Sequence, residues 1–257
     1  ERTEELARKR RRVGKMQKRE WTRRVAERDP VLLLDGRTCI NRAYWKMREM
    51  AVVLEKGRRE APRSIFHMAE APGGFAQATS HLYPGSRIKT CSLQNEGSIR
   101  MDRRVAQMQV PLPCAGDLRK EEAVDALLKL VGEGKVDLVT GDGGAEVANL
   151  DAEEQESTLL LLAQAGCGLR MQAEGGSMVL KFFEGSTKPL RDLLCLLRGV
   201  YAETMLYKPV TSRCANSERY MLCRGLREAK RARRLGEELG RVVEKAMNGG
   251  REEGTEG

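Results

Sequence analysis

Two apolar runs in this chain stop at glycine clusters, and each is followed by a helical pattern. The first, over 64–69, leads into Pro72-Gly73-Gly74; the second, over 136–140, leads into Gly141-Asp142-Gly143-Gly144. A short apolar run bounded by turn residues reads as a strand buried on both faces. Such strands belong to parallel sheets covered by helices. The alternation continues along the chain. Strands are expected over 87–93, 177–183, 200–207 and 219–223, and helices over 41–56, 75–82, 120–132, 151–170 and 187–198. This order predicts an α/β fold with a doubly wound sheet. In such sheets ligands sit outside the carboxyl ends of the strands, where both glycine clusters fall.

Charge is concentrated outside that pattern. Residues 1–25 hold eleven Lys/Arg against four Glu, and 227–234 hold five against one. The net charge is +9, so the middle of the chain is close to neutral. Basic flanks on a neutral domain predict a polyanionic partner. A charged helix is expected over 3–28, with sparse apolar positions at Leu6, Val13, Met16, Trp21 and Val25. A second is expected over 225–247, with a disordered tail over 248–257. One reading of the first is a solvated arm or a targeting run. The other is an RNA clamp in which Arg8, Lys9, Arg10, Arg11, Arg12, Lys15 and Lys18 neutralise phosphates and Trp21 stacks on a base.

Several classes are disfavoured. No apolar run approaches the roughly 20 residues of a membrane span, so no membrane partner is expected. The charged first 30 residues lack the apolar centre of a secretory signal. The seven cysteines form no Cys-x-x-Cys pair, and some stand in apolar company, as Cys195 does among leucines. Reduced buried thiols are expected, in a cytoplasmic or nuclear compartment rather than a secreted protein. With only His67 and His81, no metal site is expected. The chain opens on Glu1 rather than Met, as a domain of a longer protein would.

Individual residues admit two readings each. Pro72-Gly73-Gly74 is either a tight turn or a place where backbone approaches a bulky ligand, with a helix N-terminus offering N–H groups to a carboxylate. It fits neither Gly-x-Gly-x-x-Gly nor Gly-x-x-x-x-Gly-Lys-Ser/Thr. Alone, Asp117 reads as an N-cap. Lys181 interrupts the apolar run over 178–183. It is either a snorkelling lysine or a buried amine serving as a general base. Alone, Lys46 reads as a solvated lysine and Glu218 as a carboxylate at a strand start.

Taken in order, five stretches change this picture: Asn41-Arg42-Ala43-Tyr44-Trp45-Lys46, Ala69-Glu70-Ala71-Pro72-Gly73-Gly74-Phe75, Asp137 to Gly144, Met178 to Phe183, and Ser212-Arg213 to Tyr220. Together they resemble the FtsJ-like RNA 2′-O-ribose methyltransferases, whose catalytic residues run Lys-Asp-Lys-Glu. The resemblance covers about 38–224, with 1–37 as the basic arm and 225–257 as charged helix and tail. It implies a Rossmann-like methyltransferase sheet with one antiparallel strand added in a hairpin at one edge. It implies Lys46, Asp142, Lys181 and Glu218 as the catalytic set. It implies S-adenosylmethionine as cofactor and S-adenosylhomocysteine as product. Glu70, Ala71, Pro72, Gly73, Gly74 and Phe75 would surround the cofactor's methionine and ribose. Asp142 would lie near its sulfonium, with Gly141 and Gly143 keeping space open. Ser92 and Leu93 stand where related enzymes place an acidic ribose contact, and Asp117 with Leu118 where the adenine is read. Arg42, Arg213 and Ser217 would touch RNA. The Glu-Ala-Pro-Gly-Gly-Phe style is that of cap-modifying and viral members, so capped messenger RNA is the expected substrate. The surrounding assembly would be a polyprotein or a capping complex. Ribosomal or transfer RNA methylation, and a non-catalytic RNA-binding module, are the alternatives.

Overall fold

The computed structural model describes residues 39–56, 60–144, 150–183, 187–213 and 216–249, without the side chains of 150–156 and 249. The expected basic helix over 3–28, with every arm residue from Arg8 to Trp21, lies outside the described residues. So do Gly57, Cys214 and the tail from 250 onward.

Thirteen residues, Ala43–Glu55, form α1. There follow β1 (Ser64–Met68), α2 (Gly74–Leu82), β2 (Arg87–Cys91), α3 (Glu121–Val131), β3 (Val136–Gly141), α4 (Leu150–Met171) and β4 (Gln172–Phe183). The chain closes with α5 (Lys188–Val200), β5 (Tyr201–Tyr207), β6 (Glu218–Leu226) and α6 (Ala229–Gly249). The alternation expected from the sequence is present, with two differences. β4 begins directly after α4, five residues before the apolar run that announced it. The last strand runs on to Leu226 before α6 begins.

The six strands order as β2-β1-β3-β4-β6-β5. β1 pairs in parallel with β2 and β3, and β3 with β4; β6 is antiparallel to both β4 and β5. The expected antiparallel strand is β6, and its hairpin with β5 forms one edge of the sheet. The hairpin folds β6 between β4 and β5, leaving β5 outermost.

Alternate residues of each strand feed opposite cores. Phe66, Val139, Met178 and Leu180 pack with α3, α4, α5 and α6, through residues such as Leu127, Leu169, Leu193 and Leu239. Ile65, Leu138, Val179 and Leu222 pack with α1 and α2, through Met47, Met50 and Phe75. The amphipathic pattern of α5 buries Leu190, Leu193 and Leu197 but leaves Cys195 exposed, against expectation. A leucine-rich neighbourhood in sequence is not a buried one when the helix has a single inward stripe. The six described cysteines are free thiols, of which Cys91, Cys167 and Cys223 are buried.

Candidate active site

The sheet face that meets α1 and α2 carries the chemistry. Lys181 is two residues beyond Val179 on β4, so it shares that residue's face. Across the β4–β6 pairing, Lys181 stands opposite Tyr220 and Phe183 opposite Glu218. Asp142 follows the last residue of β3. Lys46 comes from α1, packed over the same face. Four predicted residues, spread over 172 positions, thus converge at one end of the sheet.

The convergence is a continuous polar chain. Lys46 Nζ lies 2.9 and 3.0 Å from the two Glu218 oxygens and 3.1 Å from the Tyr220 hydroxyl. That hydroxyl donates to Asp142 Oδ1 at 2.8 Å. Lys181 Nζ lies 3.3 Å from the same Asp142 oxygen. The Lys46 and Glu218 side chains are 10% and 8% exposed, and those of Lys181 and Asp142 12% and 16%. All four side chains are therefore largely shut from solvent. Burial pushes the Glu218 carboxyl up. The Lys46 charge, hydrogen bonds from Lys46 and Ser212, and the Lys181 charge outweigh this and hold it below its ordinary value. Burial, with Asp142 and Glu218 close by, raises the Tyr220 hydroxyl well above its ordinary value, so it stays protonated and donates. Tyr220 was not singled out from the sequence. Its signal was its spacing: two residues after Glu218 on a strand, hence on the same face.

The loop after β1 departs from expectation in how it works. The N-terminus of α2 does not wait for an outside carboxylate, because Glu70 Oε1 already accepts the Ala76 N–H at 2.9 Å. Burial raises the Glu70 carboxyl well above its ordinary value, and nearby Asp142 adds to the rise. Ser92 does not aim away from the loop either: its Oγ accepts the N–H groups of Glu70 and Ala71 at 2.9 and 2.7 Å. Ser92 therefore shapes the loop. Gly73 has φ +115°, a left-handed region that favours glycine. A Cβ there would meet Val105 Cγ2 at 2.3 Å, and one at Gly74 would meet Asn41 Oδ1 at 2.1 Å. Close approach at these glycines is thus between parts of the protein itself.

The same holds after β3. A Cβ on Gly141 would lie 2.5 Å from Gln164 Oε1, and one on Gly143 2.9 Å from Gln164 Nε2. The space these glycines leave is filled by Gln164 of α4, whose Oε1 accepts the Gly143 N–H at 3.2 Å. Gln164 thereby holds the Asp142 loop from behind, a role with no sequence signal beyond a polar residue in an apolar helix.

Asp117 is not the N-cap of α3, whose cap position is Lys120. Its carboxylate forks with Arg119 at 2.9 and 3.0 Å, which holds it below its ordinary value against the effect of burial. Leu118 is buried and Leu93 is 39% exposed. Cys114, Ala115 and Gly116 precede Asp117 with positive φ, as does Ala69 after β1. Strained backbone of this kind gathers where a binding surface is shaped. Of the expected RNA contacts, Arg213 and Ser217 are exposed, and Arg42 donates to the Thr211 carbonyl at 3.2 Å.

Asp142, held at Oδ1 by Tyr220 and close to Lys181, and the exposed Leu93 both stand just beyond strand ends, where this kind of sheet receives its ligands. No described helix is long and apolar enough to cross a membrane.

The chain is 31% identical over 206 residues to the cap-specific mRNA (nucleoside-2′-O-)-methyltransferase 1 of Trypanosoma cruzi, covering 72% of this chain and 56% of that protein. It is 39% identical over 118 residues to the cap-specific enzyme 1A of Caenorhabditis briggsae, covering 44% and 14%. It is 28% identical over 190 residues to the ribosomal RNA large subunit methyltransferase E of Pseudomonas fluorescens, covering 73% and 84%. The chain thus spans 14% to 56% of the length of these two cap-specific relatives. A solved Plasmodium falciparum structure, named as a ribosomal RNA methyltransferase, shares the fold, with a TM-score of 0.50 at 15% identity over 72% of this chain and 97% of its own. The family model described as FtsJ-like methyltransferase matches residues 39–226, and the chain belongs to that family.

Proposed function

We propose that this chain methylates the ribose 2′-oxygen of RNA, using S-adenosylmethionine, and that its substrate is the capped 5′ end of messenger RNA. The observation that carries the reading is the joined chain Lys46–Glu218, Tyr220, Asp142–Lys181 at the carboxyl end of the sheet. When bound, the cofactor supplies an electrophilic methyl group on a sulfonium. The residues to hold it are Glu70 through Phe75, Ser92, Leu93, Asp117, Leu118 and Asp142. Lys181 is the residue to take the hydroxyl proton or weaken the hold on it, since its amine stands beside Asp142 on the sheet face that carries the site. Asp142 fixes that amine. Lys46 and Glu218 form a rigid floor that orients the acceptor, and alignment of the two reactants does most of the work. Arg213 and Ser217 stand at the rim for RNA. The basic arm over 1–25 is proposed as a phosphate clamp; its deletion should raise the KM for RNA and flatten its salt dependence.

Similarity of 31% over most of the chain to a cap-specific enzyme supports the cap reading. Similarity spanning 84% of a ribosomal RNA enzyme supports a second reading, methylation of structured RNA. A further relative, from Caenorhabditis briggsae, is named as an inactive cap-specific protein, at 38% identity over 135 residues. Against a non-catalytic role here stands the presence of all four residues in one connected site.

The test is transfer of labelled methyl to matched capped and uncapped short RNAs, with Lys181→Ala as control. Label on capped RNA only, placed on the ribose and lost in the variant, is the expected result. Equal label on both moves the substrate to structured RNA. Cofactor binding without transfer to either overturns the enzymatic reading.

A further inference from the structure

Arg42, Lys46 and Glu49 succeed one another at spacings of four and three, so they share one face of α1. That face meets the segment between β5 and β6. Arg42 Nη1 donates to the Thr211 carbonyl, and Lys46 pairs with Glu218. Glu49 makes the densest set of contacts. Its Oε1 accepts the Tyr207 hydroxyl at 2.6 Å and the Val210 N–H at 2.7 Å. Its Oε2 accepts the Thr211 N–H at 3.1 Å and the Thr211 hydroxyl at 2.9 Å. The four donors come from the last residue of β5 and from the turn that leaves it. Burial pushes the Glu49 carboxyl up, but these donors outweigh it and hold it below its ordinary value, so it is charged at neutral pH.

The same turn builds the other half of the catalytic floor. Ser212 donates to Glu218 Oε1 at 2.7 Å, and Lys208 Nζ donates to the Glu218 carbonyl at 2.8 Å. Glu49 therefore grips, from the helix that carries Lys46, the turn that aims Glu218. Three residues of helix rise about 4.5 Å, so a helix held at Glu49 is held at Lys46. An ionised carboxylate is the group for this: it accepts at both oxygens, whereas an amide would set its NH2 group against N–H and O–H donors.

We infer that Glu49 is a positioning residue that locks α1 onto the turn after β5 and so sets the Lys46–Glu218 pair. The kinetic part of this inference rests on the proposed methyl transfer; the structural part does not.

The experiment uses the full chain with Glu49→Gln and has two readouts. The first is NMR titration of the Glu218 side-chain carboxyl. The charged and titratable groups around it are Lys46 from α1, Lys181 from β4, Asp142 after β3, Lys208 from the turn and Tyr220 beside it on β6, all retained in the variant. Removing the Glu49 anion would by itself lower the Glu218 pKa. A rise therefore reads the withdrawal of Lys46, and a rise is the expected result. The second readout is methyl transfer: kcat falls on the order of 10- to 100-fold, as for small misplacements of catalytic groups, with cofactor affinity unchanged. Tyr207→Phe removes one of the four donors and is expected to shift Glu218 the same way by less, which keeps the test open should Glu49→Gln not fold. An unchanged or lowered Glu218 titration in the folded variants, whatever the loss in Tm, overturns the inference. Absence of transfer by the wild type would sink the functional reading alone, since the titration still decides the positioning role.

Discussion

Tyr220 donates its hydroxyl to Asp142 at 2.8 Å while receiving the Lys46 ammonium at 3.1 Å. One phenol thus joins the two halves of the tetrad, and both halves are arranged around a group that never ionises at working pH. Tyr220→Phe keeps the ring packed on Phe75 but leaves Lys46 and Asp142 each one partner short. A loss of about 1–3 kcal/mol in stability is expected, the usual penalty for a buried polar group left unsatisfied. Methyl transfer should fall without being abolished. Chemical denaturation and single-turnover kinetics measure the two effects, and full activity in the variant would remove Tyr220 from the site.

Lys46 and Glu218 are both almost fully buried. Breaking such a pair from one side leaves an uncompensated charge, at roughly 3–5 kcal/mol. Lys46→Met should therefore destabilise strongly. Lys46→Met combined with Glu218→Gln should destabilise less than the sum of the two single changes. A double-mutant cycle in urea tests this; additive losses would mean the two groups do not interact.

His67 ties three elements together from inside the core. Its Nδ1 lies 2.7 Å from Thr140 Oγ1 on β3 and its Nε2 lies 2.8 Å from Thr79 Oγ1 on α2. Complete burial lowers its pKa from 6.5 to about 3, so the ring is neutral in the folded protein. Between those values the unfolded chain binds a proton that the folded chain does not. Stability therefore rises with pH across that window, and is lost as pH falls from about 6.5 toward 3. His67→Asn should be less stable at pH 7.5 yet show a flatter decline between pH 6.5 and 5, by urea midpoints. An equally steep decline in the variant would place the acid sensitivity elsewhere.

Gln164 fills the space that Gly141 and Gly143 leave behind the Asp142 loop. Gly141→Ala would press a methyl group into its side chain, and overpacking of this kind costs about 1–3 kcal/mol. Pairing Gly141→Ala with Gln164→Ala should restore part of the stability but not the activity, since the Gly143 N–H then loses its acceptor. Recovery of both would show that Gln164 only occupies volume.

The sequence by itself determined the doubly wound sheet, because apolar runs ending in Gly-rich turns and followed by helical patterns have few other solutions. It also determined which strand ends would bear Asp142 and Lys181, because both stand within or just after apolar strands where a charged residue needs a reason. It could not show that Tyr220, Gln164 and Glu49 serve that site, since each is an ordinary residue until its partner is known. Nor could it show that Ser92 and Glu70 spend their polar atoms on the loop itself. The decisive step was the direction of β6. Because that strand runs antiparallel to β4, its first residue, Glu218, lies opposite the last residue of β4 rather than the first. A parallel strand of the same sequence would carry Glu218 to the far end of the sheet. Strand direction is settled by which neighbours bury the strand, and that is a property of the whole packed chain, not of any segment read alone.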